Sequence, residues 1–263
     1  MVNIRTPTGV NEGVTNSRLK IGTSGFAYRD WLGNFYPTFC PEKDFLRFYS
    51  SQFGSVEIDS TFYRIPTEKT VKRWAENTPD SFVFSAKFPR TVTHEGSLES
   101  RIDQANRFVD IMGNLGPKLG PLLLQFPYSF KVEKFDMLAA LIDGIPAGLR
   151  ISVELRNKGW LTDSLYHLLR SYRVALCLID HPWMPKLKTQ TAGFLYLRFL
   201  GDRKAIENDF SYERMDRLDD LLFWRDVIVE AKSKKTDIFA YFNNHFSGHS
   251  PTTARRLRDI VAV

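Results

Sequence analysis

Ser55-Val56-Glu57-Ile58-Asp59-Ser60-Thr61-Phe62-Tyr63-Arg64-Ile65-Pro66 opens as a β-run and closes in a turn at Pro66, with a helical pattern starting at Glu68. Successive strand side chains alternate, so Val56 and Ile58 fall on one face and Glu57 on the other. If the apolar face meets covering helices, Glu57 points into whatever the strands enclose. A carboxylate at the end of a buried strand, followed at once by Thr61, Phe62 and Tyr63, reads as a site rather than a scaffold.

The same unit recurs in both directions from this stretch. Upstream lie a strand at Leu19–Thr23, a long loop with Ser24, Gly25, Phe26, Tyr28 and Trp31, and a helix over Glu42–Gln52. Downstream, strands are predicted at Phe82–Lys87, Leu122–Phe126, Ile151–Leu155, Ala175–Ile179, Phe194–Phe199 and Ile238–Phe242. Helical periodicity lies between them at Glu68–Glu76, Leu98–Leu115, Val132–Ile142, Leu161–Ser171 and Met215–Ala231, with Pro251–Val261 last; Pro182–Pro185 leaves room for only a short helix. Eight strand–helix alternations predict a single (β/α)8 TIM barrel over residues 19–263, with an open doubly wound sheet as the alternative. Residues 1–18, rich in Asn, Thr and Gly, are expected to form a mobile arm outside the fold.

At 263 residues and 43% apolar, the chain can bury one large core. Its net charge of +6 permits a polyanionic partner but is also what solvated helix faces produce. The two cysteines, Cys40 and Cys177, have no metal or redox spacing, which suits a reduced, intracellular protein. No run approaches a membrane span, and the first 18 residues are too polar for a signal peptide, so a cytoplasmic, membrane-independent protein is expected.

Active sites of such barrels lie where the strands end. Reading each strand with a period of two aligns Val83 and Ser85 with Lys87, Leu123 with Gln125, and Ser152 with Glu154 and Arg156. It likewise aligns Leu176 and Leu178 with Asp180, Phe194 and Tyr196 with Arg198, and Phe239 and Tyr241 with Asn243. Glu57 completes the row, with Ser24 on the first strand. Converging charges are costly unless paired, and chains carry that cost at sites. Glu57, Lys87, Glu154 and Asp180 are therefore the candidate catalytic residues. Ser24, Tyr28, Trp31, Tyr63, Gln125, Arg156, Trp160, Arg198 and Asn243 are the candidate binding residues. Adjacent strands predict a Glu57–Lys87 ion pair and a Glu154–Asp180 pair. In that second pair Arg198 would hold Asp180 ionised and repulsion would favour protonated Glu154, against the pull of Arg156; if Arg156 turns toward Gln125, Glu154 becomes the general acid and Asp180 a base or transition-state stabiliser.

The segments Ile21-Gly22-Thr23-Ser24-Gly25-Phe26, Val56-Glu57-Ile58 with Thr61-Phe62-Tyr63, and Phe84-Ser85-Ala86-Lys87 with Thr93-His94 resemble the YecE-like family, domain-of-unknown-function family seventy-two. So do Leu124-Gln125-Phe126-Pro127, Val153-Glu154-Leu155-Arg156 and Tyr241-Phe242-Asn243-Asn244 with Gly248. The resemblance runs from about Leu19 to the C-terminus and implies a (β/α)8 barrel, with no established reaction. Its characteristic polar positions fall on Glu57, Lys87, Gln125, Glu154, Arg156, Arg198 and Asn243. The chain departs from it at Leu200-Gly201, where relatives have His-Gly, and at Gly248-His249-Ser250-Pro251.

Several chemistries fit these residues. Glu154 and Asp180 could flank a glycosidic bond, with Trp31, Tyr63, Trp160 and Trp183 stacking on sugars, although barrel glycosidases often use strands four and seven, which here end in Gln125 and Arg198. Histidines are too scattered for a transition-metal site, and no cofactor is implied; a hard divalent cation on Glu154 and Asp180 stays open. Pairing with Glu57 would keep Lys87 protonated and disfavour a Schiff base. The Ser250-Pro251 helix start, with Arg198 and Arg203 near, suits an anion. The expected activity is hydrolase- or lyase-type acid/base chemistry at the barrel mouth on a small polar or anionic substrate, bearing a sugar or phosphate. The alternative is a nucleic-acid-binding or phosphodiester-processing barrel, with weak binding through Lys186–Lys188, Lys232–Lys235 and Arg255–Arg258.

Overall fold

The computed structural model describes residues 18–206 and 209–262; the expected N-terminal arm lies, but for Arg18, outside them. Eight parallel strands alternate with covering helices. The strands are β1 (Leu19–Thr23), β2 (Ser55–Ile58), β3 (Val83–Lys87), β4 (Leu119–Gln125), β5 (Ile151–Glu154), β6 (Ala175–Asp180), β7 (Phe194–Phe199) and β8 (Asp237–Phe242). The helices are α1 (Phe45–Gln52), α2 (Glu68–Glu76), the short α3 (Arg90–Thr93), α4 (Leu98–Met112), α5 (Phe135–Asp143), α6 (Asp163–Ser171), α7 (Leu218–Ser233) and α8 (Ser250–Ala262). No α-helix joins β6 to β7, in keeping with the prolines of that loop. Helix starts follow local chemistry: Thr67, Ser97 and Thr162 each accept a backbone N–H three residues on, opening α2, α4 and α6.

Neighbouring strands pair in the order β1-β8-β7-β6-β5-β4-β3-β2. The two ends of that row meet through a parallel bridge between Ser24 and Glu57, where Gly25 N–H donates to the Glu57 carbonyl at 2.8 Å. Closure demands Gly22: a Cβ there would lie 2.0 Å from the Ser55 carbonyl oxygen. The Tyr49 hydroxyl, buried under α1, accepts from Thr23 N–H at 2.8 Å and donates to the Ser55 carbonyl at 3.1 Å, tying β1 to β2.

Burial falls into two layers. The larger apolar cluster lies between the strands and the helices; a second one, with Leu123, Ala175, Cys177, Ile179, Phe194, Tyr196, Phe239 and Tyr241, fills the barrel. Inside, size is distributed unevenly. Gly22, Ser55, Ser85, Ser152 and Ala175 line one arc, while β7 and β8 supply Phe194, Tyr196, Phe239 and Tyr241 to fill it. The Tyr241 hydroxyl reaches across to Ser55 Oγ at 2.6 Å and Ser85 Oγ at 2.8 Å, so the small polar residues also satisfy the tyrosine. Seven strands present the inward rows that the sequence predicts. On β6 the parity is opposite: Ala175, Cys177 and Ile179 face the interior, and Leu176, Leu178 and Asp180 face the helices.

Candidate active site at the barrel mouth

The floor of the mouth is an ionic cluster contributed by β2, β5 and β7. Glu57, with no exposed surface, accepts four hydrogen bonds: Ser24 Oγ at 2.7 Å, Tyr196 OH at 2.7 Å, and Arg198 Nε and Nη2 at 3.1 and 2.8 Å. The third guanidinium nitrogen of Arg198, Nη1, donates to Glu154 Oε2 at 2.5 Å, and Arg156 Nε donates to Glu154 Oε1 at 2.7 Å. Two carboxylates and two guanidiniums thus form a neutral set. Parity puts Glu57, Glu154 and Arg198 at the same height on inward rows, and the flat guanidinium bridges the two acids. Burial pushes Glu154 up, but Arg198 and Arg156 overcome it and hold the carboxyl at about 2.

Three sequence expectations are corrected here. Glu154 is not a raised general acid, because both its oxygens are taken by guanidiniums. Asp180 does not face it: from the outward row of β6, Asp180 accepts from Trp224 Nε1 at 2.7 Å and pairs with Lys186 at 3.2 Å. Burial raises its carboxyl, opposite to the expected influence of Arg198. The two carboxylates therefore do not converge, and among the described residues no group of three His, Cys, Asp or Glu side chains could hold a metal ion. The Glu57–Lys87 pair also fails to form. Arg198, Tyr196 and Ser24 occupy Glu57, and Lys87 has neither an ion pair nor a side-chain hydrogen bond among the described residues.

Above this floor opens a cavity of about 490 Å³. Lys87 stands in its wall with Nζ 3.6 Å from the centre of the Phe62 ring. Burial first, and then the cationic Arg198, lower this amine from 10.5 to about 7. Asp59, one residue past β2, also lines the cavity, and burial followed by the charge of Glu57 raises its carboxyl. His94 is held edge-on to Phe62 and within 2.8 Å of Thr93 Oγ1; burial, then Lys87, bring it down to about 4, so it is neutral at pH 7. The rim adds Asp202, Arg203 and Lys204 from the loop after β7, together with His181. That loop packs tightly on the one after β8. Gly201 has φ +65°, and a Cβ there would sit 2.0 Å from the His245 carbonyl.

Of the expected binding residues, Tyr63, Gln125, Arg156, Arg198 and Asn243 line the cavity, and Ser24 supports it through Glu57. Tyr28 is not part of the lining; its hydroxyl donates to the Ser24 carbonyl at 3.2 Å. Trp31 and Trp160 follow strand ends but are fully buried, with Nε1 donating to Asn244 Oδ1 at 3.3 Å and to the Phe130 carbonyl at 2.6 Å. They are packing residues and cannot stack on a ligand there. The exposed aromatics at the mouth are Tyr63 (78%), Tyr128 (64%) and Trp183 (63%). The α8 start is no open anion site either: Asn244 Oδ1 accepts from Ser250 N–H at 3.1 Å and Ser250 Oγ at 2.7 Å, and Ser250 is buried. Much of the outer basic surface is paired or engaged as well, with Lys186 on Asp180 and Asp220, Lys234 on Glu230, Arg256 on Asp216 and Arg258 on Asp259. Among the described residues no helix is long and apolar enough to cross a membrane.

Sequence reasoning did not single out Asp59, Tyr128, Lys204 or His181 for the site. Asp59 shares the parity of Glu57 but lies just past the end of β2, ahead of the short 3-10 helix Ser60–Phe62.

Residues 20–263 match the family described as Protein of unknown function DUF72. Over 109 residues the chain is 34% identical to the UPF0759 protein YecE of Escherichia coli, a match spanning 41% of the chain and only 40% of YecE. With the UPF0759 protein YunF of Bacillus subtilis it shares 24% identity over 278 residues, 92% of the chain and 94% of YunF. The crystal structure of a DUF72 family protein from Thermotoga maritima superposes with a TM-score of 0.79 at 25% identity, covering 93% of this chain and 99% of that one.

Proposed function

This chain belongs to the DUF72 family, and we propose that it is an acid–base enzyme acting on a small organic anion held at the barrel mouth. The observation that carries this reading is the division of charge. Glu57, Glu154, Arg156 and Arg198 neutralise one another in the floor, which leaves Lys87 open to the cavity beneath Arg203 and Lys204. An amine near 7 is half unprotonated at neutral pH and can take a proton; Asp59, with its raised carboxyl, can return one. Arg203 and Lys204 supply the attraction for a phosphate or carboxylate group, and Tyr63, Tyr128 and Trp183 offer flat faces to the organic body. A glycosidase mechanism loses support, since both floor carboxylates are clamped on Arg198 and neither has a free oxygen for a nucleophile. Of the hydrolase and lyase types, proton transfer of the lyase kind is the better fit. No cofactor is part of this reading.

Thermal shift with inorganic phosphate, sugar phosphates, small carboxylates and their neutral counterparts tests it. Anions with a cyclic body are expected to raise the melting temperature, and Arg203→Glu with Lys204→Glu to abolish the effect. Stabilisation unchanged in that variant, or absent for every anion, would overturn the reading. The exposed aromatics beside Arg203 and Lys204 also favour a second reading, a nucleic-acid strand laid across the mouth. Affinity for an oligonucleotide falling steeply with salt, while sugar phosphates have no effect, would favour it.

A further inference from the structure

We infer that Lys87 captures its substrate covalently, as an imine with an aldehyde or ketone that also carries a phosphate or carboxylate. The inference rests on the anion-binding reading above and names the substrate class. Three observations converge on it. First, Nζ lies in the wall of a cavity of about 490 Å³, reachable by a small molecule, and has no ion pair or hydrogen bond to hold it charged among the described residues. A lysine kept only for charge would be expected to meet Glu57, yet Glu57 is saturated by Ser24, Tyr196 and Arg198. Second, the Phe62 ring 3.6 Å from Nζ limits the space on one side of the amine. Third, the groups around the amine suit the chemistry: Arg156 and Arg198 are fixed cations in the same wall, which also holds Asp59, whose carboxyl is raised by burial, and His94, whose imidazole is neutral at pH 7. The lowered amine, near 7, provides the unprotonated form that must attack.

The step balances without a co-reactant. The Nζ lone pair forms a bond to the carbonyl carbon while the carbonyl π pair moves to oxygen, which takes a proton from Asp59. The first nitrogen proton returns to the Asp59 carboxylate and the second leaves with the hydroxyl as water, which gives C=N–Lys87: one carbonyl and one amine yield one imine and one water. The carbonyl is anionic in this proposal because Arg203 and Lys204 line the same cavity as the amine, so the charged tail stays on them while the carbonyl reaches Lys87. The cations near the amine oppose protonation of the imine, so carbon–carbon bond cleavage or proton loss next to it would draw on the returning proton of Asp59.

The test is borohydride trapping on the full chain with glyceraldehyde 3-phosphate, pyruvate and uncharged glyceraldehyde, read by intact mass and peptide mapping. One adduct per chain is expected, on Lys87, formed at least about tenfold faster with the charged carbonyls because binding raises the local concentration. Adducts spread over surface lysines, or a single one elsewhere, would overturn the inference. Lys87→Arg keeps the charge without the nucleophile and should abolish trapping; should it fail to fold, the peptide map of the unaltered chain decides alone. Glycerol 3-phosphate, which lacks the carbonyl, separates the two proposals. If it stabilises the protein while no Lys87 adduct forms, the imine falls and the anion site stands. If it neither binds nor slows trapping, the anion reading falls, and the anionic substrate class with it.

Discussion

The ends of β7 and β3 carry cations in opposite conditions. Arg198 is 4% exposed and gives three nitrogens to two carboxylates, whereas Lys87 is half-buried with an aromatic ring as its recorded side-chain contact. Each belongs to a strand-end row that looks the same in the sequence, an inward run closed by a base. The difference teaches that burial acts on both charges and partner geometry decides whether it is overcome. A flat guanidinium can span Glu57 and Glu154 at once, and by doing so it removes the one acid that Lys87 would otherwise meet. Locking one cation leaves the other available.

The largest effect expected from this contrast is at Arg198. Arg198→Met leaves Glu57 and Glu154 facing each other without their shared partner and should cost about 3–5 kcal/mol of stability in chemical denaturation. A loss below about 1 kcal/mol would mean that the cluster is solvated. Next comes the acid limb. The folded carboxyl of Glu154 is depressed from 4.5 to about 2, so its contribution is present above 4.5 and is lost as pH falls toward 2. That window should carry about 3 kcal/mol of stability, seen as a falling urea midpoint that Glu154→Gln flattens.

Lys87 should behave with the opposite sign. Its folded amine is lowered from 10.5 to about 7, so the unfolded chain holds the proton more tightly and stability rises with pH between those values. Lys87→Met should therefore stabilise the protein below pH 7 by about 1–2 kcal/mol, discounted for its partial exposure, with the gain fading toward pH 10. An ion pair with Glu57 would instead have made the same change costly. The smallest effect is expected at Asp180, because Asn can still accept from Trp224. Asp180→Asn should cost about 1 kcal/mol and leave stabilisation by mouth-binding anions unchanged. A loss of anion binding in that variant would place Asp180 at the mouth after all.

Element order, the closed barrel and seven of the eight inward rows were legible because alternation was interrupted by polar residues: Ser55 before Glu57, Ser85 before Lys87, Ser152 before Glu154. On β6 no such mark exists. Ala175-Leu176-Cys177-Leu178-Ile179 is apolar on both faces, as parallel strands are when helices cover one side and the barrel fills the other. Asp180 was then the sole guide to parity, and it points to Trp224. The partnership of the charges was not legible either, since strand adjacency favours Glu57 with Lys87 whereas a long guanidinium reaches across the barrel from β7. The Arg203–Lys204 rim belongs to a turn, where a period of two says nothing about direction, whereas Asp59 shares the parity of Glu57 but lies past the end of β2.

The most direct measurement is the titration of Lys87 itself, followed by the shift of its side-chain ε-carbon in a selectively labelled sample and assigned with Lys87→Arg. A midpoint near 7 is the predicted result. A midpoint at or above 10.5 would mean that the amine is paired, and the account of an open, reactive Lys87 above a self-neutralised floor would be wrong.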